Sequence, residues 1–189
     1  GTLHRYEVLP QILGELPALR ALLADPENPQ VLSHANQLLK DISNQTGAEV
    51  MYLMDAHGDT LAASNWDMQD SFISRNFAFR PYFSEAMQGK LGRFFGLGTT
   101  SGKRGYFFAA PVTEGDKKIG VLVVKVDLDH TERLWGQTPE QLMVTDPNGV
   151  VILTSRPEWR FRATRDLSQE ERQSIFAILP YPTCDPKPL

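Results

Sequence analysis

The sequence has little of three things that would narrow its function at once: cysteine, long apolar runs and excess positive charge. Among 189 residues only Cys184 is a cysteine, which excludes an intramolecular disulfide framework and a multi-cysteine metal site. The most apolar run, residues 119–126, is interrupted by Lys125 and is far shorter than the roughly 18 apolar residues that a membrane span needs. Nineteen Lys and Arg against 23 Asp and Glu give a formal net charge of −4, whereas nucleic-acid binding requires a basic face. We therefore predict no nucleic-acid partner, although a few cations gathered locally could still bind a small anion.

Catalytic and metal-binding motifs are also absent from the sequence. Residues 98–103 resemble a phosphate-binding loop only superficially, because three residues separate the two glycines and Arg104 follows Lys103; the P-loop requires four intervening residues and a Ser or Thr after the lysine. No GxSxG elbow occurs. The histidines show no metal-ligand spacing and are scattered along the chain at His4, His34, His57 and His130. We predict no catalytic residue, no metal site and no cofactor for this chain.

The first 46 residues have the periodicity of helices. From Val31 the apolar positions recur at offsets 4, 7, 8 and 11, which form one face of an α-helix, and Gly47 suits its left-handed C-terminal position. Helical spacing also runs through Pro10 and Pro17, which should start, kink or divide the helix there. The ends of the chain, Gly1 and the Pro-rich residues 180–188, indicate an excerpt of a longer protein.

Beyond residue 47 the pattern changes to strands joined by turns. A long insertion separates the second strand from the third, and Pro81 and Gly89 bracket a short helix within it. The predicted strands cover residues 49–54, 60–64, 93–97, 106–112 and 118–128. Strands joined by hairpins, with helices ahead of them, indicate an antiparallel α+β fold.

An internal repeat is visible at an offset of 91 residues. A strand, an Asp-x-x-Gly turn and a return strand occur twice, so that Asp55, Gly58 and Ser64 correspond to residues 146, 149 and 155. The Asp of such a turn can bond its own backbone while the Gly takes a positive φ. The repeat predicts two similar lobes in series, the second of them smaller or truncated.

A cluster of cations and hydroxyl groups is the main candidate for a binding site. Strand alternation places Lys125 on the same face as Val121 and Val123; if that face is interior, the ammonium requires an anionic partner. The alternative is that Lys125 ends a solvated edge strand. Arg80 precedes Pro81 at the predicted helix start, where its guanidinium and free backbone donors can face one region.

Neutral donors and aromatic side chains surround these two cations in the sequence. Thr99, Thr100 and Ser101 lie on a predicted hairpin. Trp66, Tyr82 and Tyr106 can close a pocket while offering polar tips. Arginine suits bidentate recognition of a carboxylate, and lysine acts as a point charge. This combination fits a small dianion, which it would bind without transforming it.

These residues also carry a family resemblance. The ordered motifs span about residues 30–155 and resemble the periplasmic sensor region of DctB-type C4-dicarboxylate sensor histidine kinases. The motifs are NFAFRPYF at 76–83, GTTS at 98–101, RGYF at 104–107, the strand carrying Lys125, and the earlier YLMD at 52–55 and ASNW at 63–66.

The resemblance implies a tandem PAS-like (double Cache) fold, α+β in class, with a long N-terminal helix and two antiparallel-sheet lobes. It implies an N-terminal helical region at 1–46, a membrane-distal ligand-binding lobe at 47–130 and a smaller membrane-proximal lobe at 131–189. By motif position, Arg80 and Lys125 would take the ligand's carboxylates. The other residues that the resemblance assigns to ligand binding are Thr99, Thr100, Ser101, Tyr106, Trp66 and Asp67.

For function, the resemblance implies the periplasmic portion of an inner-membrane receptor. This domain would bind succinate, malate or fumarate and would not itself be an enzyme. The full-length protein would be a homodimeric histidine kinase that signals to a cytoplasmic response regulator and controls dicarboxylate uptake. A sensor of 2-oxoglutarate or another small carboxylate on the same fold is the alternative. A small hydrolase or transferase is a further interpretation, but no nucleophile–base arrangement supports it. An interaction module whose Lys125 and Arg80 are surface charges is another, and substitution of Arg80 by Ala would distinguish it from a sensor.

Overall fold

The structure of the protein is a computed structural model that describes residues 3–97, 104–135, 143–145, 148–178 and 187–189. The chain divides into two compact units. The first contains Gly1–Phe94 and Tyr106–Val126, and the second contains Phe95–Gly105 and Asp127–Leu189. Within the described ranges, every helix is too short or too polar to cross a bilayer. The division into an N-terminal helical region and distal and proximal lobes stays a prediction.

Four helices form the N-terminal part of the first unit. Prolines stand in the first turn of three of them, where the missing N–H costs nothing. Asn28 accepts hydrogen bonds from the first turn of the last helix, which ends at Gly47 with φ 76°. The prolines therefore divide the predicted long helix, and the glycine stops it as expected. The helices are α1 (His4–Glu7), α2 (Leu9–Leu13), α3 (Pro17–Ala24) and α4 (Pro29–Thr46).

A five-stranded sheet follows, in the order β2-β1-β5-β4-β3. Its strands are β1 (Val50–Asp55), β2 (Thr60–Ala63), β3 (Gly92–Leu97), β4 (Arg104–Glu114) and β5 (Lys117–Asp127), with helix α5 (Pro81–Met87) between β2 and β3. β1 runs antiparallel to both β2 and β5. Helices combined with an antiparallel sheet confirm the α+β class.

The two faces of the sheet differ in chemistry. Met51 and Leu53 of β1 face an aliphatic core that also contains side chains of α3 and α4. Val50 and Tyr52 face the other way, into a second core rich in aromatic side chains. This second core, which we call the aromatic core, contains Phe72, Phe77, Tyr82, Phe83, Phe94 and Phe107 among its buried residues.

The second unit contains the remaining elements. These are α6 (Leu128–Trp135), β6 (Met143–Thr145), β7 (Val151–Thr154), a 3₁₀ turn (Pro157–Trp159) and α7 (Gln169–Ile178). Ser168 and Glu171 cap α7 reciprocally, each side chain accepting a hydrogen bond from the other's backbone N–H. Hydrogen bonds from Arg165 and from the Ser168 backbone lower the pKa of Glu171 from 4.5 to about 2.

The predicted repeat is present in the strand pairing of both units. Tyr52 pairs with Ala63 in β1–β2, and Met143 pairs with Thr154 in β6–β7. Each of these residue numbers differs from its counterpart by 91. In both hairpins the register shifts at the same step, after Leu53 and after Val144. A shared bulge is a specific backbone feature, so the resemblance of the two hairpins extends beyond their shared alternation.

The turns within the two hairpins and the segments that follow them also correspond. Gly58 and Gly149 have φ values of 89° and 83°. Further on, Ser74 and Phe161 take positive φ values of 65° and 61°, which are uncommon for residues other than glycine. Ser74 donates its backbone N–H to the carbonyl of Thr60, and Phe161 donates to that of Val151, which is the first residue of the returning strand in each unit. The two units therefore repeat one supersecondary motif.

Candidate ligand-binding site

Lys125 lies on a central strand, with its side chain in the aromatic core. β5 is flanked by β1 and β4, and Lys125 is 0% exposed. The alternative of a solvated edge strand is therefore wrong. Val50 lies directly opposite Lys125 in the ladder, and both belong to the face that carries Tyr52.

A fully buried ammonium requires a compensating charge, and Glu49 supplies one. Its carboxylate Oε2 lies 3.4 Å from Lys125 Nζ, and the glutamate side chain is 15% exposed. Glu49 sits in a bend just before β1, and its backbone N–H donates to the Lys125 carbonyl at 2.9 Å. The rings of Phe72 and Phe107 each have their centroid 5.7 Å from the ammonium.

Arg80 is the second buried cation of the first unit. It is 8% exposed and immediately precedes α5, which begins at Pro81 as the sequence predicts. Its guanidinium lies 4.9 Å from the ring centroids of both Phe79 and Phe94. Burial lowers the pKa of Arg80, and the neighbouring hydroxyls of Tyr82 and Tyr52 act in the opposite direction.

Shared aromatic rings connect the two cations. Phe94, under the Arg80 guanidinium, has its ring centroid 6.0 Å from that of Phe107. Phe107 in turn contacts Lys125 and stacks on Tyr82 at 5.3 Å. The fold thus brings Arg80 and Lys125, 45 residues apart in the sequence, to one aromatic cluster.

Two tyrosine hydroxyls form a buried polar pair in the same cluster. The hydroxyl oxygens of Tyr52 and Tyr82 lie 2.5 Å apart, and both side chains are essentially inaccessible to solvent. Burial raises the pKa of each phenol, so both groups are neutral hydrogen-bonding groups at physiological pH. Tyr52 and Glu49 were missed as site residues. Tyr52 shares the face of Lys125 because it pairs with Val123 of β5, a register that alternation along one strand does not reveal, and no pattern marks Glu49.

The other predicted ligand residues lie elsewhere or outside the described ranges. Tyr106 packs against the aliphatic core, on the sheet face opposite Lys125, and stacks on Phe108 at 4.9 Å. Asp67 is paired with Lys40 of α4 at 2.7 Å, and this ammonium also lies 4.8 Å from the ring of Trp66. Within the described residues, Tyr106 thus contacts the aliphatic core, and Asp67 and Trp66 contact Lys40 of α4. Thr99, Thr100 and Ser101 lie outside the described residues.

The second unit contains a charged cluster of its own, which the sequence did not reveal. Arg104 donates to Glu132 at 2.8 and 3.0 Å and to Asp129 at 2.9 Å. Glu132 also accepts a hydrogen bond from Arg160. Burial disfavours the charge on Arg104, but the hydrogen bonds from Glu132 and then Asp129 outweigh it and raise the pKa of the guanidinium. A cavity of about 400 Å³ borders this cluster.

In chemical terms, the aromatic core of the first unit is built to hold negative charge. Two buried cations, one internal carboxylate and two neutral hydroxyls lie among aromatic rings. Arginine and lysine are the side chains that bind carboxylates and phosphates, and two of them along one ring cluster suit an anion with more than one charged group.

Solved structures and curated proteins similar to this chain identify its family. No family model matches the chain. The sensor domain of the histidine kinase DctB from V. cholerae superposes with a TM-score of 0.80 at 36% sequence identity, over 99% of this chain and 72% of that one. The chain belongs to the DctB sensor-domain family. The family resemblance carried by the sequence motifs is thereby confirmed.

Two curated members of the family are similar over nearly the whole chain. The C4-dicarboxylate transport sensor protein DctB of Pseudomonas aeruginosa is 63% identical over 189 residues, and that of Rhizobium meliloti is 32% identical over 181 residues. The chain spans 31% and 29% of the lengths of these two relatives. The sensor domain of E. coli DcuS shares the fold at 14% identity, with a TM-score of 0.58. The chain is thus a sensor domain, about three tenths as long as the DctB proteins it matches.

Proposed function

We propose that this DctB-family domain binds C4-dicarboxylates such as succinate, malate or fumarate in its first unit. The observation that carries the proposal is the pair of buried cations, Arg80 and Lys125, on one aromatic cluster. A dicarboxylate offers one carboxylate to each of these two cations, in charge-assisted hydrogen bonds. The two curated DctB relatives are both named as C4-dicarboxylate transport sensors.

Neutral donors would complete the recognition of the carboxylates. Hydrogen bonds to charged groups contribute about 1.5–3 kcal/mol each, so four or five of them could support micromolar binding after the cost of association. Thr99, Thr100 and Ser101 are proposed donors on the strength of the motif. The buried hydroxyl pair of Tyr52 and Tyr82 adds neutral groups beside Arg80.

The comparison of the two units favours the first as the binding unit. Phe77 donates its backbone N–H to the Gly58 carbonyl, and Thr164 donates to the Gly149 carbonyl in the second unit. Arg80 follows Phe77 by three residues. Leu167 follows Thr164 by three residues, and the next residue, Ser168, caps the following helix. Neither Leu167 nor Ser168 is charged, so the second unit has no counterpart of Arg80 at this position.

For the whole protein we propose a periplasmic sensor region in an inner-membrane histidine kinase. Ligand binding would shift a homodimer between signalling states and thereby control phosphorylation of a cytoplasmic response regulator and dicarboxylate uptake. The ligand can shift that equilibrium only by its difference in affinity for the two states. The V. cholerae relative named as a histidine kinase supports this proposal.

Thermal unfolding of this domain with a panel of carboxylates tests the ligand proposal. A C4-dicarboxylate at 100 times its dissociation constant should stabilise the fold by about 2.7 kcal/mol and raise Tm by about 5–11 °C, whereas acetate should have little effect. A larger shift with 2-oxoglutarate would change the substrate and keep the site. No shift with any carboxylate, in protein freed of carried-over ligand by unfolding and refolding, would contradict the proposal.

Substitutions then test the two cations. We expect Arg80→Ala and Lys125→Met each to abolish the succinate-dependent shift while the circular dichroism spectrum stays that of the wild type. Arg75→Ala is the matched control, because Arg75 is exposed and lies only five residues from Arg80. A wild-type response in Arg80→Ala would instead favour an interaction module with incidental cations.

A further inference from the structure

The carboxylate of Glu49 lies beside Lys125, the cation that we propose binds a ligand carboxylate. Lys125 is enclosed by the rings of Phe72 and Phe107, and Glu49 lies 3.4 Å from its ammonium. A fully buried ammonium has few open directions around it. A second carboxylate on Lys125 would therefore lie close to that of Glu49, and like charges at short range repel strongly where water is excluded.

The position of Glu49 in the chain allows its side chain to move away from Lys125. Glu49 belongs to a bend ahead of β1 rather than to the strand itself. Its side chain is 15% exposed, whereas that of Lys125 is 0% exposed. Part of the glutamate side chain therefore reaches solvent, although its oxygen Oε2, which faces Lys125, is itself buried. The bend follows Gly47, the left-handed end of α4, so the pairing residue stands in the short connection between that helix and the sheet.

We infer that Glu49 is an internal competitor for Lys125, an affinity-setting residue that a ligand carboxylate must displace. The inference rests on the proposed dicarboxylate function of the same site. Glu49 holds the ammonium compensated, and the ligand replaces that interaction with its own. Part of the gross binding free energy is therefore spent on breaking the Glu49–Lys125 pair, and the observed affinity is lower by that amount. A carboxylate that merely positioned Lys125 would have the opposite effect, so the sign of the change on removing Glu49 distinguishes the two roles.

Isothermal titration of succinate into wild type and Glu49→Gln tests this role. The amide keeps the shape of the side chain and removes its charge, so we expect succinate to bind about tenfold more tightly, within the 5–150-fold range typical of coupled sites. Glu114→Gln is the matched control, since Glu114 is an exposed glutamate in the same unit, and its dissociation constant should equal that of the wild type. Unchanged or weaker binding by Glu49→Gln, with the wild type binding normally, overturns the inference alone. Failure of the wild type to bind any dicarboxylate overturns the proposed function, and the inference with it.

A stability cycle in the absence of added ligand tests the pair itself and covers the case in which Glu49→Gln folds poorly. Glu49→Gln should lower Tm, because Lys125 loses its compensating charge. Adding Lys125→Met should restore Tm, because the buried charge is then gone. A double variant no more stable than Glu49→Gln would show that the two side chains do not interact and would overturn the inference.

Discussion

At the residue scale, the aromatic core contains polar groups whose partners are other side chains. Tyr52 and Tyr82 are 30 residues apart, and each hydroxyl has the other as its hydrogen-bonding neighbour. In an interior of low polarity, a buried hydroxyl that loses its partner costs more than the pair contributed. The pair therefore fixes the position of α5, which carries Tyr82 and follows Arg80, against β1.

This reasoning predicts an asymmetry between single and double substitution. Tyr52→Phe should reduce the free energy of unfolding by about 1–3 kcal/mol, because it leaves the Tyr82 hydroxyl buried without its partner. Tyr52→Phe combined with Tyr82→Phe should cost less than that single change, because both polar groups are then removed. Urea unfolding of the three proteins measures the difference. Equal or greater destabilisation of the double variant would contradict the pairing.

The site residues that the sequence could predict are those with a local signal. The alternation along β5 grouped Lys125 with Val121 and Val123 but left open whether that face is interior, and Pro81 marked the helix start beside Arg80. Glu49 carried no such signal, since it lies in a bend where alternation does not apply. The Tyr52–Tyr82 pair and the stacking of Phe107 on Tyr82 depend on contacts between distant segments, which periodicity does not encode.

At the element scale, proline and glycine determined most boundaries, and these were predictable. Helix α4 ends at Gly47, and α5 begins at Pro81. The strand predictions lie within about two residues of the structure, and the largest differences are at the two ends of β4, which runs from Arg104 to Glu114 rather than over 106–112. Local sequence does not predict that a charged residue such as Arg104 begins a strand. Arg104 is held there by Asp129 and Glu132, which lie 25 and 28 residues further on.

The same cluster makes Arg104 a determinant of stability for β4 and α6. Its side chain and that of Glu132 are each 7% exposed, so Arg104→Met leaves a buried carboxylate without its main compensating charge. Removing one partner of a buried ion pair costs about 3–5 kcal/mol, and we expect a loss of that order in urea unfolding. Arg133→Met, on an exposed position of α6, is the control and should change stability by less than about 0.5 kcal/mol. Similar stability of the two variants would show that the cluster contributes little.

At the scale of the whole molecule, the chain repeats one motif and differentiates the copies by side chains. The two hairpins share register, bulge and loop geometry. The repeat was visible in the sequence because glycine and turn residues recur at one offset. The difference between the two copies was not visible in the sequence, because segments of different length separate Gly58 from Arg80 and Gly149 from Leu167.

This differentiation predicts where ligand binding protects the backbone. Opening of a region becomes rarer when a ligand binds only its closed form, so amide hydrogen exchange slows there. We expect succinate to slow exchange in β1, β5 and α5, which carry Tyr52, Lys125 and Tyr82, and to leave β6 and β7 nearly unchanged. Mass-spectrometric exchange with and without succinate measures this, and Arg80→Ala should lose the protection. The opposite outcome is equal protection of β6, β7, β1 and β5. It would mean that the second unit also binds succinate despite the neutral residues at the start of α7, and the assignment of the ligand to the first unit would then fail.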